Sequence, residues 1–398
     1  MLAGRLDDSY SVEVRHAMTP MTVAKIGANS AVRYSAPFIA AVASGLHVSL
    51  TTVGTALGIA ELVGLTAPLI VRGAVRFTRR TAMSLGLIGI AIGAGVSATS
   101  RNIVMFAVGL SIMNLTKIVF DTGIIGWLTD RIDYARLGRV IGLTETAWAL
   151  ALLSGVVLMG LATGIWSWRW GYVLALIFVV VLSVVLRQTL PTETSPPPPV
   201  RVERHARPQL GAGWFVIVGT VALTAAAQAM FVTFGKWLQT EFDVTDTQLT
   251  IVIFGLGAAE LLAASSTVRF LDRWGKQASV MYGAALIVPA GLALAVLHHH
   301  LAIGLILLGV FIVGFEFSIL ATLSLANNLV PDQPSVGLGF MVGAGTLGRA
   351  IMASPATAAF SHNGMWAPSV LGASCAAVTI ACQWRFRVSR LAPVVQPL

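Results

Sequence analysis

The sequence predicts an all-α integral membrane protein with twelve transmembrane helices in two pseudo-symmetric six-helix bundles. The 398 residues are 56% hydrophobic and only 11% charged, whereas soluble domains carry about 25% charged residues. Apolar runs of about 20 residues recur along the chain, each long enough to cross the hydrocarbon core of a bilayer. Because lipid offers no hydrogen bonds to the backbone, such runs must be helical.

The apolar runs define twelve predicted spans, numbered here in chain order. Their ranges are 20–45, 49–71, 81–100, 102–128, 140–163, 170–187, 212–239, 247–268, 278–297, 301–326, 335–359 and 367–384. The segment between spans 6 and 7 contains four consecutive prolines, which cannot continue a helix. The predicted domains are therefore an N-terminal tail at 1–19, a first bundle at 20–188, a linker at 189–210, a second bundle at 211–384 and a C-terminal tail at 385–398.

Basic residues alternate between the two sides of the predicted spans. With the N-terminus in the cytoplasm, twenty lysines and arginines, Lys25 among them, fall on the cytoplasmic side, and only Arg101 and Arg169 fall on the other. Cytoplasmic loops are enriched in basic residues, so this asymmetry predicts that both termini are cytoplasmic. We expect a multi-pass protein of a bacterial inner membrane. Because topology accounts for the net charge of +9, no nucleic-acid partner is expected.

The two halves of the chain share short sequence patterns. Gly58–Leu62 in span 2 resembles Gly257–Leu261 in span 8, and the segment after span 2 has a counterpart at Asp272–Lys276 after span 8. Two related six-helix halves predict a substrate path where they meet.

Nine ionisable residues fall inside the predicted spans, although a charge at the bilayer centre costs roughly 3 kcal/mol or more unless it is paired or hydrated. Spans 3, 6, 9 and 12 contain none of them, so we expect these four spans to face lipid while the others surround a polar interior. Lys236 lies near the predicted outer mouth and is left out of the pathway. The other eight form the predicted substrate and proton pathway: Arg33, Glu61, Lys117, Asp121, Glu145, Glu260, Glu316 and Arg349.

Several of these residues have two interpretations. Lys117 and Asp121 are four residues apart on span 4, so they can form a structural ion pair or bind substrate. Glu145 lies near the predicted start of span 5, where the helix dipole favours a carboxylate without any functional role. The cations of the first half, taken as Arg33 and Lys117, are one fewer than its carboxylates, which favours a first-half carboxylate as the proton site.

The other candidates remain open in the same way. Arg33 and Arg349 can neutralise carboxylates or attract an anionic substrate, and neutralisation is preferred. Glu61 and Glu260 can bind substrate or protons, or accept hydrogen bonds that fix their helices. Glu316, in the middle of span 10, is the preferred cavity residue of the second half.

Sequence motifs argue against an enzyme. The chain contains no phosphate-binding loop G-x-x-x-x-G-K-[ST], no H-E-x-x-H and no G-x-S-x-G. We therefore expect no enzymatic activity, no cofactor and no ATP-driven step. His298–His300 lie in a short outer loop, and adjacent histidines on one turn rarely converge on an ion, so no metal site is expected there.

The loop between spans 2 and 3, Val71–Arg80, resembles the loop signature of the major facilitator superfamily in its arginines. Val75 stands where that family has an aspartate, which implies a weaker gate in this half. The second copy, Arg269–Lys276, keeps the acidic residue. Lys117–Glu145 is also similar to a subgroup of these carriers labelled as efflux permeases, and Trp148 and Gly155 continue the likeness.

This resemblance implies a facilitator-type fold in which spans 3, 6, 9 and 12 are outermost. It also implies cytoplasmic gate loops, to which we assign Arg76, Arg79, Arg80, Asp130, Arg131, Arg139, Asp272, Arg273 and Lys276. The implied function is secondary active transport of a small organic solute, with proton-coupled efflux by alternating access.

Two alternatives to this function are open. The first is uptake by a proton-coupled symporter or a facilitator, and the second is a sensor or scaffold that does not transport. The expected partners are a small-molecule substrate, the lipid bilayer and H⁺ as coupling ion, and the sequence is consistent with a monomer.

Overall fold

The computed structural model describes residues 10–66, 77–193, 210–326, 329 and 334–391. Within these ranges the chain forms only helices and the turns between them. It divides into two compact units, Met1–Arg201 with Val244–Ala258, and Val202–Asp243 with Ala259–Leu398.

The helices follow the predicted spans closely, and spans 1, 5 and 7 are interrupted. Spans 1 to 6 consist of Val12–Arg33 with Ile39–Leu46, Leu50–Gly64, Arg79–Ala98, Ile103–Thr129, Tyr134–Glu145 with Ala147–Leu150 and Val157–Ile165, and Trp168–Thr189. Spans 7 to 12 consist of Gly213–Phe231 with Phe234–Phe242, Asp246–Trp274, Lys276–Leu297, Leu301–Ala326, Pro334–Asn363 and Trp366–Leu391.

Ten of the described helices are long and apolar enough to cross a membrane, and the number rises to eleven if Ile39–Leu46 and Leu50–Gly64, which meet at 112°, form one span. Spans 1 and 2 account for the difference from the twelve predicted. Span 1 begins with a polar helix that contains Lys25 and Pro20. The described helix of span 2 has 15 residues, and the rest of its predicted range lies outside the described residues.

The turn that follows span 1 has a counterpart after span 7. Each short second helix ends in a non-glycine residue with left-handed backbone, His47 (φ 54°) and Asp243 (φ 53°), a conformation that is uncommon for such residues. Two residues later, the Ser49 hydroxyl accepts a hydrogen bond from the backbone N–H three residues on (3.1 Å), and the Thr245 hydroxyl does the same (3.3 Å). The repeat seen in the sequence thus extends to these connections.

Helix packing within the two units also repeats. Span 3 packs on spans 4 and 6 as span 9 packs on spans 10 and 12, and span 1 packs on spans 5 and 6 as span 7 packs on spans 11 and 12. Spans 1 and 7 are the most enclosed, because their only strongly exposed large apolar side chains are Val12 and Trp214, close to their ends. Polar side chains on span 1 are therefore held inside the first unit.

Reciprocal glycine contacts bring the paired helices close together. A Cβ atom on Gly93 would lie 2.6 Å from the carbonyl oxygen of Gly109, and one on Gly109 would lie 2.8 Å from that of Gly93. Gly283 and Gly314 make the same exchange between spans 9 and 10, at 2.6 and 2.7 Å. Small residues at such crossings let helix backbones approach in lipid, where no hydrophobic force drives association.

We expect Gly314→Leu to lower the free energy of unfolding by about 1–3 kcal/mol, because the new side chain must push span 9 away. Gly309→Leu, on the same helix, should have little effect, since Gly309 faces open space. Unfolding of the purified protein in mixed micelles measures both. Equal losses for the two variants would contradict the close crossing.

Candidate functional site

A partly buried ion pair joins spans 1 and 5. Lys25 Nζ donates to Glu145 Oε1 at 2.6 Å, and the two side chains are 5% and 40% exposed. Lys25 therefore lies on a helix inside the first unit and not among the loop residues with which the charge count grouped it. Glu145 is the last residue of the helix Tyr134–Glu145, so the interpretation that places it at a helix N-terminus is wrong.

A second ion pair lies within span 4. Lys117 Nζ donates to Asp121 Oδ2 at 2.5 Å, which confirms the predicted pairing. Lys25 also interacts electrostatically with Asp121, so it is shared by carboxylates on spans 4 and 5. The other oxygen of Asp121, Oδ1, is buried and receives no hydrogen bond from any residue that the structure describes.

Arg33 and Trp148 complete this group of side chains. The guanidinium carbon of Arg33 lies 4.3 Å from the centroid of the Trp148 ring, and Arg33 Nη1 donates to the Trp148 carbonyl oxygen at 2.7 Å. Lys117 Nζ lies 5.9 Å from the same ring. We call Lys25, Arg33, Lys117, Asp121, Glu145 and Trp148 the charge cluster.

Asn29 lies on the same face of span 1 as the two cations, since Lys25, Asn29 and Arg33 are spaced by four residues. Its side chain is fully buried, and within the described ranges neither its amide oxygen nor its amide nitrogen has a hydrogen-bond partner. An unsatisfied buried amide is costly, so it marks a place where water or a ligand completes the hydrogen bonding.

Span 5 changes its winding next to this face. Ala151–Val156 forms a π-helical turn, and the Ser30 hydroxyl is shared between the carbonyl oxygens of Ile26 (2.7 Å) and Ala151 (3.3 Å). A side chain at Gly155 would run into that hydroxyl. Turns of this kind are rare in proteins, and a large share of them lie at functional sites. This one changes which side chains of span 5 face span 1 in the residues that follow Trp148.

The balance of charge in the first half differs from the predicted one. Lys25 joins Arg33 and Lys117 inside the spans, so three cations stand against the three carboxylates Glu61, Asp121 and Glu145. The predicted excess of one negative charge is therefore wrong. Because Lys117 bonds Asp121, a proton on Asp121 competes directly with that ion pair.

The other predicted pathway residues lie apart from the charge cluster along the chain. Glu61 is half-buried on span 2. In the second unit, Glu260 on span 8 and Glu316 on span 10 are 0% and 4% exposed. Arg349 Nη2 donates to Thr346 Oγ1 one turn earlier on span 11, at 3.4 Å.

The predicted gate residues of the first half form a network at the start of span 3 and the end of span 4. Arg79 Nε donates to Asp130 Oδ2 at 3.0 Å. The family signature has an aspartate at the position of Val75. Asp130, at the end of span 4, supplies an acidic partner for Arg79 in its place. Gly126, one turn before Asp130, leaves room for the Arg79 side chain, because a Cβ there would lie 2.7 Å from Arg79 Nε.

Glu193, at the start of the predicted linker, holds the same network together. Its Oε1 accepts from Arg131 Nη2 at 3.2 Å, and its Oε2 accepts from the backbone N–H of Arg80 at 3.1 Å. Arg131 Nε also donates to Glu13 Oε1 at 2.7 Å. The beginning of the linker is thereby attached to the ends of spans 1, 3 and 4.

The gate residues of the second half are only partly described. Arg273 is exposed and Lys276 half-buried. Between them Gly275 has φ +79°, a backbone that glycine alone adopts readily, so the glycine of the signature is required there. Arg76 lies outside the described residues, as do the side chains of Arg139 and Asp272.

Sequence reasoning missed three members of these sites. Lys25 was counted among loop charges although the predicted span 1 begins at residue 20, and that overlap was the available signal. Trp148 entered only through the family likeness. Nothing in the local sequence distinguishes Glu193 from other linker charges, because its partners are distant along the chain.

The model of the Major Facilitator Superfamily matches residues 23–357. A stretch of 106 residues is 32% identical to the uncharacterized MFS-type transporter YwfA of Bacillus subtilis (strain 168), and it covers 27% of this chain and 26% of that protein. The match thus spans about a quarter of that relative's length.

Two solved structures share the fold over nearly the whole chain. The bacterial homolog of the human lysosomal transporter Spinster, inward-facing and unoccupied, has a TM-score of 0.74 at 12% identity and covers 96% of this chain and 100% of its own. The human organic anion transporter MFSD10 (TETRAN) has a TM-score of 0.65 at 17% identity and covers 94% and 100%.

We expect Lys25→Met to lower the free energy of unfolding by about 1.5–3 kcal/mol, because Glu145 then keeps its charge without its cation. Adding Glu145→Gln should restore part of that loss. Glu13→Gln, which removes a more exposed pair with Arg131, should cost less than about 1 kcal/mol. Unfolding of the single and double variants in mixed micelles measures the interaction energy between Lys25 and Glu145. If the two substitutions have additive effects on the free energy of unfolding, the two side chains do not form an ion pair.

Proposed function

The chain belongs to the major facilitator superfamily of membrane transporters, and from this premise we propose that it is a proton-coupled secondary transporter that exports a small organic solute by alternating access. The arrangement of side chains around Asp121 is the observation that supports proton coupling. One oxygen of Asp121 accepts from Lys117 at 2.5 Å, and the other is buried without a hydrogen bond from any described group.

A proton on Asp121 changes the whole charge cluster. It removes the negative charge that holds Lys117 and leaves Glu145 as the one charged carboxylate among the described partners of Lys25. Because charges inside a bundle are poorly screened, this shift alters how strongly span 1 is held to spans 4 and 5. Proton binding is thereby linked to the packing of the helices that carry the site.

The solute would bind along the inner face of span 1. Asn29 offers an amide donor and acceptor that no described residue uses, and Arg33 with Trp148 offers a cation stacked on an aromatic surface. These groups suit a solute with both polar and apolar parts. The proton gradient supplies the energy, since no phosphate-binding motif is present.

We infer export, and not uptake, from the similarity of Lys117–Glu145 to efflux permeases. In an antiporter, proton and solute cross the membrane in opposite directions. A symporter that takes up solute moves both the same way. The sign of the proton flux during solute movement therefore separates the proposal from its main alternative.

The test is transport by the purified protein in liposomes that contain a pH-sensitive dye. A panel of radiolabelled organic acids, amines, amino acids and sugars is offered with and without an imposed pH gradient. We expect one class of solute to move against the proton flux and to accumulate only with the gradient. Solute flux that is equal with and without the gradient would contradict proton coupling.

Asp121→Asn should abolish gradient-driven accumulation while exchange of solute without a gradient continues, because the amide cannot carry the proton. Asp133→Asn, a change of the same kind at an exposed loop position, serves as the matched control and should transport like the wild type. An Asp121→Asn protein that accumulates solute normally would exclude Asp121 as the proton site.

A further inference from the structure

A group of metal-ligating side chains lies in the second unit. Glu241 near the end of span 7 meets His298 and His299 in the turn between spans 9 and 10, and their ligand atoms all lie within 4.8 Å of one another. The charge distribution predicts that this end of the helices is extracytoplasmic.

The histidines converge because Glu241 holds both of them. His298 Nδ1 lies 2.9 Å from Glu241 Oε2 and 3.1 Å from Oε1, and His299 Nδ1 contacts Oε1. The two imidazole centroids are 3.7 Å apart. The premise that adjacent histidines on one turn do not converge therefore fails for this pair.

The spacing of His298 and Glu241 matches that of two ligands around a transition-metal ion. With metal–ligand bonds of about 2.0–2.1 Å, neighbouring ligand atoms lie roughly 2.9–3.4 Å apart, from octahedral to tetrahedral geometry. The His298–Glu241 distances of 2.9 and 3.1 Å fall in that range. An ion bound there would replace the proton shared by His298 and Glu241, while the exposed His299 side chain would move away from Glu241 to complete the site.

The surroundings of Glu241 also suit a metal site. Trp237 Nε1 donates to Glu241 Oε2 at 2.6 Å, and such outer hydrogen bonds orient carboxylate ligands. Trp237 is itself 1% exposed, so the donor is fixed. The His299 side chain is 68% exposed, which leaves the site open to an ion from the adjacent aqueous phase.

We propose that Glu241, His298 and His299 bind one divalent transition-metal ion, of which Zn²⁺ is the representative, and that this ion ties the end of span 7 to the turn between spans 9 and 10. Two imidazoles and a carboxylate favour zinc-like ions over Mg²⁺ and Ca²⁺, which prefer all-oxygen ligands. Water would complete the coordination and keep the ion exchangeable.

The test is titration calorimetry of the detergent-solubilised protein, purified through an affinity tag without histidine, with ZnCl₂ and separately with MgCl₂. We expect one zinc ion per chain, a higher unfolding temperature with zinc and no heat with magnesium. His299→Ala and Glu241→Gln should each weaken binding at least about tenfold, the effect that even an outer hydrogen-bond partner has at such sites.

His300→Ala is the matched control, because His300 is exposed in the same turn and is not among the three converging ligands. It should bind zinc as the wild type does. Because His299 is mostly exposed, its substitution should leave the fold intact, which the unfolding temperature without metal verifies. The proposal is overturned if wild-type protein binds no zinc at millimolar concentration, if Glu241→Gln and His299→Ala bind like wild type, or if His300→Ala loses the ion.

Discussion

Lys25 carries a positive charge in the interior of the first unit, and a buried cation is stable only beside carboxylates. That constraint links span 1 to span 5 through the 2.6 Å contact between Lys25 and Glu145, and to span 4 through the electrostatic interaction of Lys25 with Asp121. The small residues around it follow from the same requirement. Ser30 and Gly155 let spans 1 and 5 approach closely beside the π-helical turn, and the Arg33–Trp148 contact closes the same face one turn beyond Asn29.

Ion pairs in this unit occur in two environments that suit different tasks. In the charge cluster, the side chains of Lys117 and Asp121 are 15% and 24% exposed, so water screens the effect of a proton on Asp121 less strongly. In the network of gate residues, the Arg131 and Glu13 side chains are 23% and 44% exposed, and water screens such a pair. The more exposed Arg131–Glu13 pair can break and re-form as helices move more readily than the Lys117–Asp121 pair.

The sequence predicted the fold class well, because hydrophobic length and the arginine-rich loops are local signals. The all-α facilitator-type fold and the family resemblance are confirmed, and so is the pairing of Lys117 with Asp121, which one helical turn dictates. Partners distant along the chain could not be read in this way. Lys25 and Glu145 are 120 residues apart, and Glu241 is 57 residues from His298. Only packing brings such groups together, so the balance of charge in the first half and the behaviour of the histidines were predicted wrongly.

The interaction of Lys25 with both Asp121 and Glu145 is tested most directly by the nitrogen NMR spectrum of the lysine ammonium groups in lipid nanodiscs. The chain has four lysines, Lys25, Lys117, Lys236 and Lys276, so ¹⁵Nζ labelling gives few signals, and Lys25→Arg assigns the one of interest. If Lys25 is shared by two carboxylates, its signal shifts in Asp121→Asn and also in Glu145→Gln. A Lys25 signal that responds to neither substitution, or to Glu145→Gln alone, would contradict the account.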